Sequence, residues 1–156
     1  MHAILNNVEA TEAFGSLLLQ ALPEKCLIFL HGQLGAGKTS LVRGMLRGAG
    51  FEGTVRSPTY SLVEEYKLSQ KSIYHFDLYR LKDPEELEWM GIGDYLNDKA
   101  LCVIEWPEMG AGFLPTADLE VFLNVVDQGR ELQVEILNQQ LKNRVEVLWK
   151  NNNILL

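Results

Sequence analysis

The sequence predicts an α/β fold: a three-layer sandwich around a mixed sheet whose centre is parallel. Three observations lead there. The stretch HGQLGAGKTS, His31 to Ser40, sits between an apolar run of strand length, Cys26 to Leu30, and a segment with apolar residues at helical spacing, Leu41, Val42, Met45, Leu46 and Ala49. The run Leu101-Cys102-Val103-Ile104 is uniformly apolar, as a strand buried on both faces requires. Two pairs of alternating segments, each joined by a short polar turn, read as antiparallel hairpins at the flanks.

The elements follow in order. Phe14, Leu17, Leu18, Ala21 and Leu22 share one face of a helix over about Ala10 to Leu22, and Pro23 stops it. The first strand, the glycine loop and the loop's helix come next, the helix ending near Gly48 and Gly50. FEGTVRSPTY, Phe51 to Tyr60, is a polar loop. Tyr60 to Tyr66 and Ser72 to Leu78 are strands around LSQK. DPEE, Asp83 to Glu86, combines a capping aspartate, a proline at the first helical position and a glutamate three residues after the cap, so a short helix starts there. Asp118 to Val126 and Glu131 to Leu137 are strands about the turn Asp127-Gln128-Gly129. Gln139 to Lys150 is a helix ended by Asn151 to Asn153.

Gly32, Gly35, Gly37, Lys38 and Thr39 fit G-x-x-x-x-G-K-[ST] in the strand–loop–helix setting that this motif needs, which makes the predicted fold P-loop NTPase-like. Glycines allow positive φ and a close approach to an anion. Successive amides then cradle phosphate oxygens at a helix N-terminus. The candidate phosphate-binding set is Gly35, Ala36, Gly37, Lys38, Thr39 and Ser40, with Lys38 facing solvent as a point charge and Thr39 offering a hydroxyl to Mg²⁺. A second magnesium contact belongs at the end of a neighbouring strand. Glu105 ends the fully apolar run and is the preferred ligand. Asp77 ends a more polar strand and is expected near the γ-phosphate. His31 and His75 read as structural, Arg56, Arg80 and Arg130 as able to reach phosphate, and Arg43 and Arg47 as solvated. Trp106, beside Glu105, is either a packed aromatic or part of a partner surface.

Composition narrows the class. The 156 residues suit one domain over 1–156. Hydrophobic residues make up 47% and charged residues 22%, the profile of a globular protein, and no apolar run approaches the roughly 18 residues of a membrane span. The first residues lack a basic start and soon turn acidic, so they do not read as a signal peptide; a cytoplasmic protein without a membrane partner is expected. Cys26 and Cys102 sit in apolar strands with no C-x-x-C pair, which argues against zinc. The net charge is −7 and the 14 basic residues are scattered, so any nucleic-acid substrate would be held by another subunit.

Asn124-Val125-Val126-Asp127 lacks the lysine of a guanine-reading N-K-x-D segment, so ATP is favoured over GTP. A small-molecule kinase, an ATPase switch and a non-catalytic nucleotide module then compete. A kinase lid brings several arginines to the phosphates, and no arginine cluster follows Asp77-Leu78-Tyr79-Arg80. That favours the switch.

The chain resembles the TsaE (YjeE) family, the small ATPase of bacterial tRNA threonylcarbamoyladenosine synthesis. The matching stretches are HGQLGAGKTSLVRG, SPTYSLVEEY, YHFDLYRLKDPEELEWMGI and VIEWPE, in that order, with GRE at Gly129 to Glu131. The loop motif is common to many families, whereas SPTY, DLYRL and EWPE together are specific. The resemblance implies that Gly35 to Thr39 hold ATP phosphates and that Thr39 and Glu105 hold Mg²⁺. It implies a first switch at Ser57, Pro58, Thr59 and Tyr60, and a second around Asp77. Lys38, Asp77 and Glu105 are then the catalytic set, Arg130 contacts the nucleotide, Thr11 lies near the base, and Arg80 and Trp106 belong to the partner surface. The implied partners are TsaD and TsaB, which carry the transfer chemistry and hold tRNA, and the implied activity is a slow ATPase that resets the modification cycle when they dock.

Overall fold

The computed structural model describes residues 1–152, so Asn153 of the expected helix stop lies outside the described residues. Its strands are β1 (His2–Leu5), β2 (Cys26–His31), β3 (Val63–Lys67), β4 (Ser72–Asp77), β5 (Leu101–Glu105), β6 (Leu119–Val126) and β7 (Gly129–Ile136). Its helices are α1 (Val8–Ala21), α2 (Lys38–Gly48), α3 (Glu86–Trp89), α4 (Ile92–Asn97) and α5 (Gln139–Asn151), with a 3₁₀ turn at Pro107–Gly110. One seven-stranded sheet runs β1-β7-β6-β2-β5-β4-β3. The four central strands are parallel, β6 to β2, β2 to β5 and β5 to β4. The outer pairs, β1–β7, β6–β7 and β3–β4, are antiparallel. This is the expected mixed sheet with a parallel centre.

Alternation along the strands divides the core. Ile28, Leu30, Ile73, Leu101 and Val103 face α1, α2 and α5. Leu27, Tyr74, Phe76, Cys102 and Ile104 face the other way, onto Leu87 of α3, Ile92 of α4 and the surrounding loops. The second face is therefore covered by two short helices and loops, while the first carries full-length helices. Among the latter, α1 and α2 pack almost backbone to backbone. A Cβ on Gly44 would stand 2.0 Å from the Glu12 carbonyl oxygen, and one on Gly15 would stand 2.2 Å from that of Leu41. This approach carries the start of α1 up against the glycine loop.

Several boundaries differ from the sequence reading for local reasons. β1 was not anticipated: four residues with only Ala3 and Leu5 buried leave little periodic signal, and β7 supplies the pairing. Helix α1 begins at Val8 because the Asn7 side chain accepts from the Ala10 amide at 2.8 Å. β3 starts at Val63 and not Tyr60, because Leu62 turns into the left-handed region (φ 67°) and its amide donates to the Pro58 carbonyl. Helix α2 ends as expected. Gly50 (φ 89°) and Phe51 donate to the carbonyls of Arg47 and Leu46, a Schellman closure that only a residue at ease with positive φ forms cheaply. The expected capping at DPEE is present as well: Glu86 Oε1 accepts from the Asp83 amide at 3.1 Å and Asp83 Oδ1 accepts from the Glu85 amide at 3.0 Å. Arg43 and Arg47 are not simply solvated. Arg43 pairs with Glu12 of α1 at 2.8 Å, and Arg47 donates to the carbonyls of Phe51 and Gly53.

Candidate functional site

The site forms where β2, β4 and β5 end together. Register aligns Leu30 with Glu105 and Asp77 with Glu105, so the glycine loop after β2 and both strand-end carboxylates meet at one edge of the sheet. Gly32 (φ 150°), Gly35 (φ 77°) and Gly37 (φ 107°) hold the loop open, and Gly32 also passes the Leu123 carbonyl so closely that a Cβ would stand 2.5 Å from it. Gly37 caps α2 with no side chain, which leaves the first amides of the helix free of a side-chain cap. A cavity of about 260 Å³ opens there, bounded by Gly35, Gly37, Lys38, Thr39 and Ser40 on one side and Ser57, Thr59, Asp77 and Glu105 on the other.

Lys38 corrects one expectation. Its side chain is buried, not directed to solvent, and Nζ donates to the carbonyls of Gly32 at 2.5 Å and Gln33 at 2.9 Å. Burial pulls its pKa below the ordinary lysine value, an effect opposed by Glu105, Asp77 and Glu108. The ring of Trp106 covers the ammonium, with Nζ 4.7 Å from the ring centroid. Trp106 itself is half-buried, adopts the left-handed region (φ 57°) and lies 5.0 Å from the ring of Tyr79.

The carboxylates have separate surroundings. Glu105 Oε1 accepts from Thr39 Oγ1 at 3.3 Å and from His75 Nε2 at 2.9 Å. Asp77 Oδ2 accepts from Thr59 Oγ1 at 3.0 Å and Ser57 Oγ at 3.3 Å, and Oδ1 accepts from the Tyr79 amide at 2.9 Å. Asp77 thus ties the SPTY segment to the sheet. Pro58 contributes its carbonyl to the turn at Leu62. Tyr60 is 85% exposed and pairs with Arg80, whose guanidinium lies 4.3 Å from the ring centroid. Arg80 is engaged there and not at the glycine loop.

Arg130 reaches the loop from β7. Its Nε donates to the Ala36 carbonyl at 2.8 Å and Nη2 to that of Gly35 at 3.2 Å. Thr11 is buried in the first turns of α1, with its hydroxyl donating to the Asn7 carbonyl at 3.2 Å. Arg130, Thr11, Gly37 and Ser40 border a second cavity, of about 200 Å³, on the other flank of the loop. Of the residues read as site candidates, those of the loop, Thr11, Asp77, Glu105, Trp106 and Arg130 gather around the loop, and Ser57 to Tyr60 and Arg80 form the rim beside it, while exposed Arg56 borders neither cavity. His31 is structural as expected, held 2.7 Å from Glu120 and stacked on Phe122. Tyr79 and Glu108 carried no reading, and His75, read as structural, hydrogen-bonds Glu105. For His75 a signal was available: it stands two residues before Asp77 on a strand, hence on the same face.

Among the described residues no group of three or more His, Cys, Asp or Glu side chains could hold a metal ion. A free-standing metal cage is therefore not built here. Magnesium held with a nucleotide needs only one or two protein oxygens beside phosphate and water, and the adjacent Thr39 hydroxyl and Glu105 carboxylate fit that demand.

Fold and loop define the class first: an α/β protein with a G-x-x-x-x-G-K-[ST] loop at the head of a helix, beside two strand-end carboxylates. The chain belongs to the TsaE family, whose model, "Threonylcarbamoyl adenosine biosynthesis protein TsaE", matches residues 5–133. It is 55% identical over 122 residues to the tRNA threonylcarbamoyladenosine biosynthesis protein TsaE of Haemophilus influenzae, covering 78% of this chain and 77% of the relative. The TsaE protein of Bacillus subtilis is 30% identical over 149 residues, covering 95% and 93%. Among solved structures, Bacillus subtilis YdiB superposes with a TM-score of 0.83 at 25% identity, covering 98% of this chain and 96% of the other. No helix among the described residues is long and apolar enough to cross a membrane.

Proposed function

We propose that this chain is an ATP-driven switch of tRNA threonylcarbamoyladenosine synthesis, a cytoplasmic single-domain ATPase that acts on a TsaD–TsaB pair and meets tRNA only through them. One observation carries the reading: the open glycine loop, Lys38 and Thr39 share a single cavity with Asp77, Glu105 and the SPTY segment. The loop amides and the head of α2 take the phosphates. Lys38 leaves the Gly32 and Gln33 carbonyls for phosphate oxygens. Thr39 and Glu105 would hold Mg²⁺, which when bound would supply charge neutralisation for the phosphates. Asp77, beside the γ-phosphate, orients the attacking water. Arg130 and Thr11 border the part of the nucleotide on the loop's other flank.

The switching element is the SPTY segment, because its hydroxyls rest on Asp77. A γ-phosphate competes for those hydroxyls, and its loss returns them, which is an order change of the kind nucleotide switches use. Arg80 on that rim is held by Tyr60, so turnover by the free chain is slow and docking of TsaD–TsaB completes the site.

The reading is tested with γ-labelled ATP. Label should appear as inorganic phosphate, slowly with the chain alone and faster with TsaD and TsaB, and Lys38→Ala should abolish ATP binding measured by calorimetry. A stoichiometric phosphorylated acceptor would make the protein a kinase instead.

A further inference from the structure

We infer that His75 is a positioning residue for the Glu105 carboxylate, setting which carboxylate oxygen is offered to a nucleotide-bound divalent cation; the inference rests on the magnesium reading of Thr39 and Glu105. His75 is fully buried on β4, and Glu105 is 3% exposed on β5. A buried carboxylate needs donors, and water is scarce at this depth. His75 Nε2, at 2.9 Å, is the better of the two that reach it, Thr39 Oγ1 at 3.3 Å being the other. Nε2 is the ring nitrogen that meets the carboxylate, and Nδ1 is left buried without a partner, so Glu105 is the polar group that holds the imidazole in place.

Both bonds fall on Oε1. Oε2 is then the oxygen left for a ligand in the cavity that Glu105 borders. The register explains how the imidazole gets there. His75 pairs with Val103 and Asp77 with Glu105 on neighbouring parallel strands, so His75 approaches Glu105 diagonally, from beneath the cavity. From that position it fixes the rotamer of Glu105 without occupying the space above it. The Thr39 hydroxyl would be released when it turns to a cation, whereas the buried His75 bond remains. His75 is thus the permanent orienter of the pair and Thr39 the exchangeable one. Outer groups that orient a ligand in this way typically set metal affinity within about 10–100-fold.

The test uses the full chain and a fluorescent ATP analogue, titrated at graded Mg²⁺ and again in EDTA. His75→Leu removes the donor and keeps an apolar filling. The concentration of Mg²⁺ needed for half its effect on nucleotide affinity should rise about tenfold, while affinity in EDTA moves less than twofold. His75→Gln, whose amide nitrogen reaches about as far as Nε2, should recover most of the difference. His75→Asn, whose shorter amide falls near Nδ1 and misses Oε1, should behave like the Leu variant and gives the same comparison if that variant does not fold. An unchanged Mg²⁺ requirement in the donor-less variants, or no recovery with Gln, overturns the positioning role while leaving the nucleotide reading intact. A wild-type chain whose nucleotide affinity ignores Mg²⁺ overturns the magnesium reading and this inference together.

Discussion

The indole of Trp106 lies over the ammonium of Lys38, 4.7 Å from centroid to Nζ, and this contact joins the residue after the strand-end carboxylate to the first residue of the loop helix. Trp106 reaches that position through a left-handed backbone (φ 57°), uncommon for a bulky side chain, at the end of β5. The residues alone leave Trp106 between a packed aromatic and a partner surface, and the family resemblance places it on the partner surface. The structure gives it a third neighbour, the lysine.

Trp106→Ala is therefore expected to act on the isolated protein. A desolvated cation–π contact is worth about 1–2 kcal/mol, so nucleotide affinity should fall about five- to thirtyfold. Trp106→Phe keeps an aromatic face and should lose less than half of that in free-energy terms. Calorimetry on both variants checks it. Unchanged affinity in Trp106→Ala would return the residue to a role in docking alone.

The two carboxylates separate by a crossed pair of variants. Asp77→Ala removes the acceptor of Ser57, Thr59 and the Tyr79 amide. Hydrogen bonds to a charged acceptor contribute roughly 1.5–3 kcal/mol each when fully made, so exchange of the Leu62 amide, which donates to the Pro58 carbonyl and closes this segment, should quicken at least about tenfold, with the Mg²⁺ requirement of nucleotide binding little changed. Glu105→Gln should do the reverse, weakening the magnesium dependence because a neutral amide is a poor ligand for a hard cation, with the SPTY segment as protected as before. If the two phenotypes come out exchanged, the roles of Asp77 and Glu105 are exchanged too.

The close crossing of α1 and α2 makes a stability prediction. Gly44 and Gly15 are helical and need no unusual φ; they are glycine because a Cβ would overlap the opposing backbone, at 2.0 and 2.2 Å. Gly44→Ala should force the helices apart at a cost of about 3 kcal/mol, the upper end for overpacking. Because α1 carries Thr11 to the loop, the variant should also lose nucleotide affinity. Thermal melting reads the first effect, and a melting temperature within a degree or two of wild type would show that the crossing is soft.

How much of this was legible depended on whether the signal was local. Lys38, Thr39 and the strand-end Glu105 could be read because motif, strand and helix adjoin in the chain, and the parallel centre followed from the apolar run Leu101 to Ile104. The cover over Lys38 could not, since the Trp106 ring arrives from another strand end. Arg130 was flagged as a phosphate contact, yet its hold on the Gly35 and Ala36 carbonyls depends on β7 being brought back toward the loop by β1 and β6. His75 reads as structural in the sequence because a lone histidine carries no pattern; strand register brings it to Glu105. β1 was missed because four residues hold too few alternations to stand out.

The last prediction concerns the two thiols, which the proposed chemistry does not use. Cys26 and Cys102 lie on the adjacent strands β2 and β5, at 2% and 3% exposure. Burial pushes both thiols up, Cys102 from the ordinary 9.0 to about 12, with Asp118 adding to the rise at Cys26. Below pH 9 both folded and unfolded chains keep these protons, and the thiols add no pH dependence. Above pH 9 the unfolded chain releases them while the folded chain holds them, so stability falls as pH rises, by at most about 1.4 kcal/mol per pH unit for each thiol. Tyr74, raised to about 12 chiefly by its hydrogen bond to Asp98, adds its own loss only above pH 10. Lys38 and Lys71, whose burial pulls their pKa values below 10.5, contribute a slope of the opposite sign as pH rises towards 10.5. The cysteine contribution is therefore read from the difference between variants: in urea unfolding between pH 8 and pH 10, Cys102→Ala should show a shallower decline, or a steeper rise, than wild type. A thiol reagent at pH 8 should leave the native chain unlabelled over the time in which the denatured chain reacts fully. Rapid labelling of the native protein, or a variant with the same slope as wild type, would mean that these strands open to water far more readily than their burial indicates.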